Sequence, residues 1–211
     1  MKKLTILGKS EATITMILDN LESNKHFNYE IEIVNNLNSP ILSEYDNSNF
    51  KIKFSDNLYD YDYLFLGVFN PKPKYKITEL FDINSDKLLN IIHASAQISS
   101  TSNLGKGCII NSLVSIAAHS KIGDFVSINR NSSIGHHTII SDFTTINPGV
   151  NIAGNVFIGK NTLIGMGTNV FDGVKIGKNC VIGAGSLVNK DIPDNVIAYG
   201  NPCKIIRVNE A

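Results

Sequence analysis

The chain carries no surplus of charge: 19 lysines and arginines balance 19 aspartates and glutamates, and no basic run breaks the pattern. This removes the electrostatic footprint by which a protein grips a nucleic-acid backbone or an anionic membrane surface. Cysteine is scarce too. Cys108, Cys180 and Cys203 are odd in number and well separated, with no CxxC pair and no histidine at zinc spacing. Neither a disulfide framework nor a structural zinc site is expected, and a reducing, cytoplasmic setting fits best. No apolar run approaches the roughly 18 residues that a membrane-spanning helix needs. The short apolar stretch Leu4 to Leu7 gives way to Gly-Lys-Ser-Glu, so it reads as a strand and not as a signal peptide. Aromatic residues, finally, run out: of 17, 12 lie in residues 1–97 and only five follow.

What fills the second half is a repeat. Every sixth residue from Ile98 to Val188 is aliphatic (Ile98, Leu104, Ile110, Ile116 and so on), sixteen positions without a slip of register. Four places after each comes a small or β-branched residue, such as Cys108, Val114, Ser120, Thr138 and Cys180. Glycine often follows the aliphatic residue directly, as at Gly105, Gly123, Gly135 and Gly159. A period of six matches neither the 3.6-residue helix nor simple strand alternation. It does match a short strand and a turn, repeated so that one aliphatic side chain per unit enters a narrow shared core. Such repeats are the signature of a parallel β-helix. Asn111, Asn129 and Asn147 recur at a spacing of 18, three units, as do Phe125 and Phe143, which predicts stacked ladders. Cys108 and Cys180 fall on the small inward place and are expected to be core thiols, not nucleophiles.

The first half alternates strand and helix signals. KLTIL, YEIEIV (29–34), FKIKF (50–54) and YLFLGV (63–68) read as strands. Residues 10–23 place Ile14, Ile17 and Leu21 on one helical face behind Ser10 as a candidate N-cap. Residues 75–83 suggest a further helical turn or two, and Asn-Pro-Lys-Pro-Lys (70–74) an extended loop. This alternation predicts a small parallel sheet of Rossmann type. Gly-Lys-Ser at 8–10 lacks the upstream glycines of a phosphate loop and reads as a turn and helix cap. The tail after residue 188 is expected to fold back over the end of the coil.

With the GHH step at 135–137, the NIAGNVFIGKN step at 151–161 and the closing YGNPCKII, the chain resembles the NeuD/PglD-type sugar acetyltransferases. The resemblance implies a small Rossmann-like α/β domain over residues 1–94, which takes a nucleotide sugar. It implies a left-handed β-helix acyltransferase domain with a C-terminal tail over residues 95–211. It further implies a homotrimer with active sites between neighbouring prisms, and acetyl-CoA as donor to an amino or hydroxyl group of the sugar, with no metal. His136 falls on the family's catalytic histidine, a group that takes and releases protons near neutrality. By the same likeness Gly154, one coil on, donates its N–H to the thioester oxyanion, and Asn129 orients the ring or the acceptor. Acetyl-CoA is expected near Thr145, Met166, Ala184, Lys204 and Arg207, and the nucleotide near Gly8, Ser10, Asn35 and Asn70.

One step departs from the family pattern. Where a carboxylate usually follows the catalytic histidine, this chain has His137, so the orienting carboxylate is expected from elsewhere, with Asp142 or Asp124 of a neighbouring subunit as candidates. The competing expectation is a non-catalytic prism that holds a sugar nucleotide or a partner, consistent with the missing carboxylate and the sparse glycines of the first loop. A zinc site shared between subunits would need two histidines about five residues apart and a third two coils earlier. His119, His136 and His137 do not have that spacing.

Overall fold

The computed structural model describes residues 2–8, 10–24, 29–34, 52–55, 61–80 and 83–210. From residue 91 the chain winds into a three-faced parallel β-helix in which each strand pairs with the strand one coil away. On the first face Ile109–Ile110, Ser127–Ile128, Thr145–Ile146, Leu163–Ile164 and Val181–Ile182 stack in register. The second face runs from Gln97–Ile98 to Leu187–Val188, and the third from Asn103–Leu104 to Lys175–Ile176. The rhythm starts one unit earlier than the sequence reading: Ile91–Ile92 pairs with Ile109–Ile110 and opens an additional coil.

Two features of the hexad explain why the coil forms. The aliphatic residues fill the interior, with Ile110, Ile128, Ile140, Ile146, Ile158 and Ile164 wholly buried. Where the small residue four places later is Ser, Thr or Cys, it fastens the corner to the next coil; elsewhere the place holds valine. Ser120, Ser132, Thr138, Thr144, Thr162 and Thr168 each donate a hydroxyl to the carbonyl fifteen residues on, at 2.8–3.2 Å. Cys108 and Cys180 occupy this place as well, their Sγ atoms 3.1 and 3.0 Å from the carbonyls of Gly123 and Pro193. Burial pushes the Cys108 thiol up to about 12 and raises that of Cys180; both are core thiols, as expected. Each corner turns through a residue in the left-handed region, every sixth from Gly107 to Gly185, with φ between 53° and 72°. Glycine, asparagine and histidine supply most of these, the types that enter this region at least cost.

The amino-terminal part is a four-stranded, all-parallel sheet. Its strands are β1 (Lys2–Leu7), β2 (Tyr29–Val34), β3 (Ile52–Ser55) and β4 (Tyr63–Leu66), in the order β3-β2-β1-β4. Helix α1 (Glu11–Glu22) connects β1 to β2 and buries Ile14, Ile17, Leu18 and Leu21. The sheet order reverses beside β1, which opens a crevice at the carboxyl ends of β1 and β4. Helix α2 (Pro71–Leu80) corrects the sequence reading: it begins at Pro71, inside the stretch expected to be an extended loop. Proline is tolerated there because the first-turn N–H groups have no helical acceptor.

The sheet is docked on the prism. Ile91 and Ile109 share a core with β1, β2 and α1, while Phe125 and Phe143 share one with Leu7, Leu64 and Leu66. Asn20 donates to Asn111 and Asn24 to the carbonyl of Ile92. The amine of Lys74, 2% exposed, donates to the Phe125 carbonyl and to Ser127 Oγ, both at 2.8 Å. Burial pulls this lysine down to about 7. The chain ends with Val196–Tyr199 extending the first face and Lys204–Val208 returning antiparallel beside it, so the tail does fold over the end of the coil.

Candidate active site

The corner after the second face holds two of the expected site residues, His136 and Gly154. His136 and Gly154 occupy the same outward place on successive coils, and Asp172 takes it one coil further, because their strands stack in register (Ile134↔Ile152, Ile152↔Val170). His136 is exposed. Its Nδ1 lies 3.2 Å from Nδ1 of His137. Two such nitrogens attract only when one bears the proton. If His136 donates, its Nε2 keeps a free lone pair, which is the form a general base needs. His137 occupies a left-handed corner position (φ 57°) and stacks on His119, ring centres 4.9 Å apart.

The glycine beneath is required by the ring above it. A Cβ on Gly154 would sit 2.6 Å from His136 Cε1 and 2.7 Å from Nε2, and 3.0 Å from Asp172 Oδ1. The imidazole thus lies over bare backbone. The Gly154 N–H makes no hydrogen bond among the described residues, whereas its carbonyl accepts from Gly173.

Other expected site residues are placed as follows. Met166 (59% exposed) and Ala184 lie outward at the corner after the first face. The second face separates them from His136 within one chain. Lys204 and Arg207 are exposed on the returning terminal strand. Gly8 follows β1 and packs so closely on Gly67 that a Cβ would lie 2.9 Å from its carbonyl oxygen, and Asn70 immediately precedes α2. Ser10 stands at the start of α1, but its hydroxyl makes no capping bond. Asn35 lies outside the described residues.

Two assignments need correction. Thr145 is 1% exposed and its hydroxyl donates to the Phe69 carbonyl, because the docked sheet covers the first face. It cannot meet acetyl-CoA from outside. Asn129 is 5% exposed and belongs to a ladder, accepting from Asn111 Nδ2 at 3.2 Å and donating to the Ile146 carbonyl at 3.2 Å. These bonds occupy its amide within the corner after the first face, away from His136. Asp124 and Asp142, considered as orienting carboxylates, cap their own corner by accepting from the N–H groups of Lys106 and Asp124 at 2.8 and 2.9 Å.

Sequence reasoning missed Asp172, which only the 18-residue column connects to His136. It also missed Arg130. This arginine, one of two in the chain, lines an open pocket of about 650 Å³ between α1 and the first-face corner, with Thr13, Met16, Phe69, His93 and Asn111. Among the described residues no group of three His, Cys, Asp or Glu side chains is placed to hold a metal ion, and no helix is long and apolar enough to cross a membrane.

Residues 155–190 match the family described as bacterial transferase hexapeptide (six repeats). PerB from Caulobacter crescentus, in complex with CoA and GDP-perosamine, is 26% identical with a TM-score of 0.78, each chain covered over 98%. The acetyltransferase domain of PglB from Neisseria gonorrhoeae, in complex with acetyl coenzyme A, is 24% identical with a TM-score of 0.84, over 97% of this chain and 99% of that one. WeeI from Acinetobacter baumannii is 20% identical with a TM-score of 0.76, over 98% and 100% of the two chains. No curated protein matches by sequence. With the repeat and the whole-length likeness, these matches show that the chain has the left-handed parallel β-helix fold of those acetyltransferases.

Proposed function

We propose that the protein transfers the acetyl group of acetyl-CoA to a nucleotide-linked sugar, with His136 as general base. The observation that carries this reading is the exposed His136 ring lying over Gly154, whose N–H is unspent. In the proposed step the acceptor attacks the thioester carbon and gives its proton to His136 Nε2. The Gly154 N–H meets the oxyanion, and CoA leaves as a thiolate that is reprotonated. His137, accepting from His136 Nδ1, sets the tautomer in place of a carboxylate.

The division of labour is proposed as residues 1–94 for the nucleotide sugar and residues 95–211 for acyl transfer. Arg130 in the pocket beside α1 is a permanent cation suited to a diphosphate. Met166, Ala184, Lys204 and Arg207 are proposed to meet acetyl-CoA. They lie at a different corner from His136, which supports a site completed between chains of a homotrimer. The exposed apolar rungs Ile139 and Phe157 support such self-association. Both substrates are cytoplasmic metabolites, so the proposed location is the cytoplasm.

The test is release of free CoA thiol from acetyl-CoA in the presence of nucleotide-linked amino sugars, wild type against His136→Ala. The expected loss is about 100-fold or more, with the oligomer unchanged by sedimentation. A near-normal rate in the variant discards the assignment.

A further inference from the structure

We propose that Asp172 selects an amine over a hydroxyl as the acceptor; this rests on the reading of His136 as the base. His136, Gly154 and Asp172 form one outward column. Because the middle residue has no side chain, the ring and the carboxylate stand close together. His136 Nε2 and Asp172 Oδ1 lie 2.7 and 3.0 Å from a single point, the place of the absent Cβ, so the two acceptors are less than about 6 Å apart. One nitrogen on the solvent side of the glycine can bridge that span at ordinary hydrogen-bond lengths. Asp172 is exposed, and among the described residues Oδ1 accepts only from Asn155 Nδ2, at 3.2 Å, which leaves it acceptor capacity.

The pair of acceptors discriminates by counting hydrogens. A neutral primary amine carries two N–H groups and a lone pair. It can donate to Nε2 and to the carboxylate at once and still direct the lone pair at the thioester carbon. A hydroxyl has one hydrogen. If it donates to Nε2, its oxygen faces the carboxylate lone pairs unpaired, a costly contact in a closed site. The same carboxylate also holds the ammonium form, which gives one proton to solvent before the neutral amine attacks. In the transfer itself the C–N bond forms and the C–S bond breaks. The proton passes from nitrogen to His136 Nε2 and on to the CoA thiolate, while Asp172 stays ionised and keeps the second N–H. Asp172 is thus a specificity-determining residue.

Binding and transfer are to be measured separately, for wild type, Asp172→Ala and Asp172→Asn. The probes are GDP-, UDP- and dTDP-linked 4-amino sugars and the same nucleotide sugars with a hydroxyl in place of the amine. By titration calorimetry without acetyl-CoA, the wild type is expected to bind at least one amine about tenfold more tightly than its hydroxyl counterpart. Both variants should erase that preference while their affinity for CoA and their thermal midpoint stay unchanged. Equal wild-type affinity for amine and hydroxyl, or a preference that survives in Asp172→Ala, overturns the proposal. So does failure of every amino sugar to bind. An Asp172-dependent amine preference without any acetyl transfer would uphold the amine seat and discard the transferase reading instead.

Discussion

Gly154 and His137 show how one side chain sets the terms for its neighbour. The ring of His136 occupies the space that a Cβ at position 154 would need, 2.6 Å from Cε1. The obstructing atoms are the ends of two movable side chains, so Gly154→Ala should leave the fold intact and tilt the imidazole instead. The expected result is a fall in kcat of about tenfold to a hundredfold with an unchanged thermal midpoint, since a displaced base loses alignment faster than it loses binding. At position 137 the backbone is left-handed, a conformation that aspartate tolerates. Aspartate would also accept from His136 Nδ1. His137→Asp is therefore expected to keep or raise the rate, and His137→Ala to lower it less than His136→Ala. A collapse with aspartate would give His137 a task of its own. At this scale the sequence was readable only where a residue points outward. His136 and Gly154 could be placed from the hexad. Thr145 could not, because a docked sheet that the repeat does not record buries it; Asn129 belongs to the ladder that its spacing of 18 predicts, and only the family likeness placed it in the site.

The coil is the element whose logic was most legible, because its three demands repeat every six residues: an aliphatic interior, a small polar tie and a left-handed corner. The extra opening coil at Ile91–Ile92 obeys the same register but stands at its very start, with Asp86 and not an aliphatic residue six places earlier. Helix α2 was misread for a different reason. Two prolines close together suggest an extended chain, yet both fall in a first turn, where a missing N–H costs nothing. The tolerance of the coil to added atoms should differ sharply from that of the site it carries. At Gly135, beside His136, a Cβ would lie 2.3 Å from the Ala153 carbonyl carbon and 2.5 Å from the Gly154 nitrogen. Backbone on the adjoining coil cannot swing aside. Gly135→Ala is expected to cost about 1–3 kcal/mol, read as a lower urea midpoint, whereas Gly154→Ala leaves the midpoint in place. Equal midpoints for the two variants would mean that the coils separate more easily than their hydrogen-bonded corners imply.

Across the whole molecule, the sheet and the prism are joined along the first face. The outward residues there, Ile91, Ile109, Ser127 and Thr145, are buried, while their counterparts on other faces, such as Ser115, Lys121 and Asn151, are exposed. This joint holds the segment after β4, which borders the crevice, through Thr145 on the Phe69 carbonyl and Lys74 on the Phe125 carbonyl. The lysine makes the joint sensitive to pH. Burial lowers its folded-state pKa from the ordinary 10.5 to about 7, so between these values the unfolded chain binds a proton that the folded chain does not. Stability contributed by this group must then rise with pH through that window, by as much as about 1.4 kcal/mol per pH unit, and level off below pH 7, where both states are protonated. Lys74→Met removes the titration but leaves every other group in place. Urea unfolding of both proteins at several pH values from 7 to 9 isolates the lysine as the difference between their slopes. The wild type is expected to gain stability relative to the variant as pH rises. Parallel lines would mean that Lys74 keeps its charge inside the joint, held by the Phe125 carbonyl and Ser127 strongly enough to offset the loss of water.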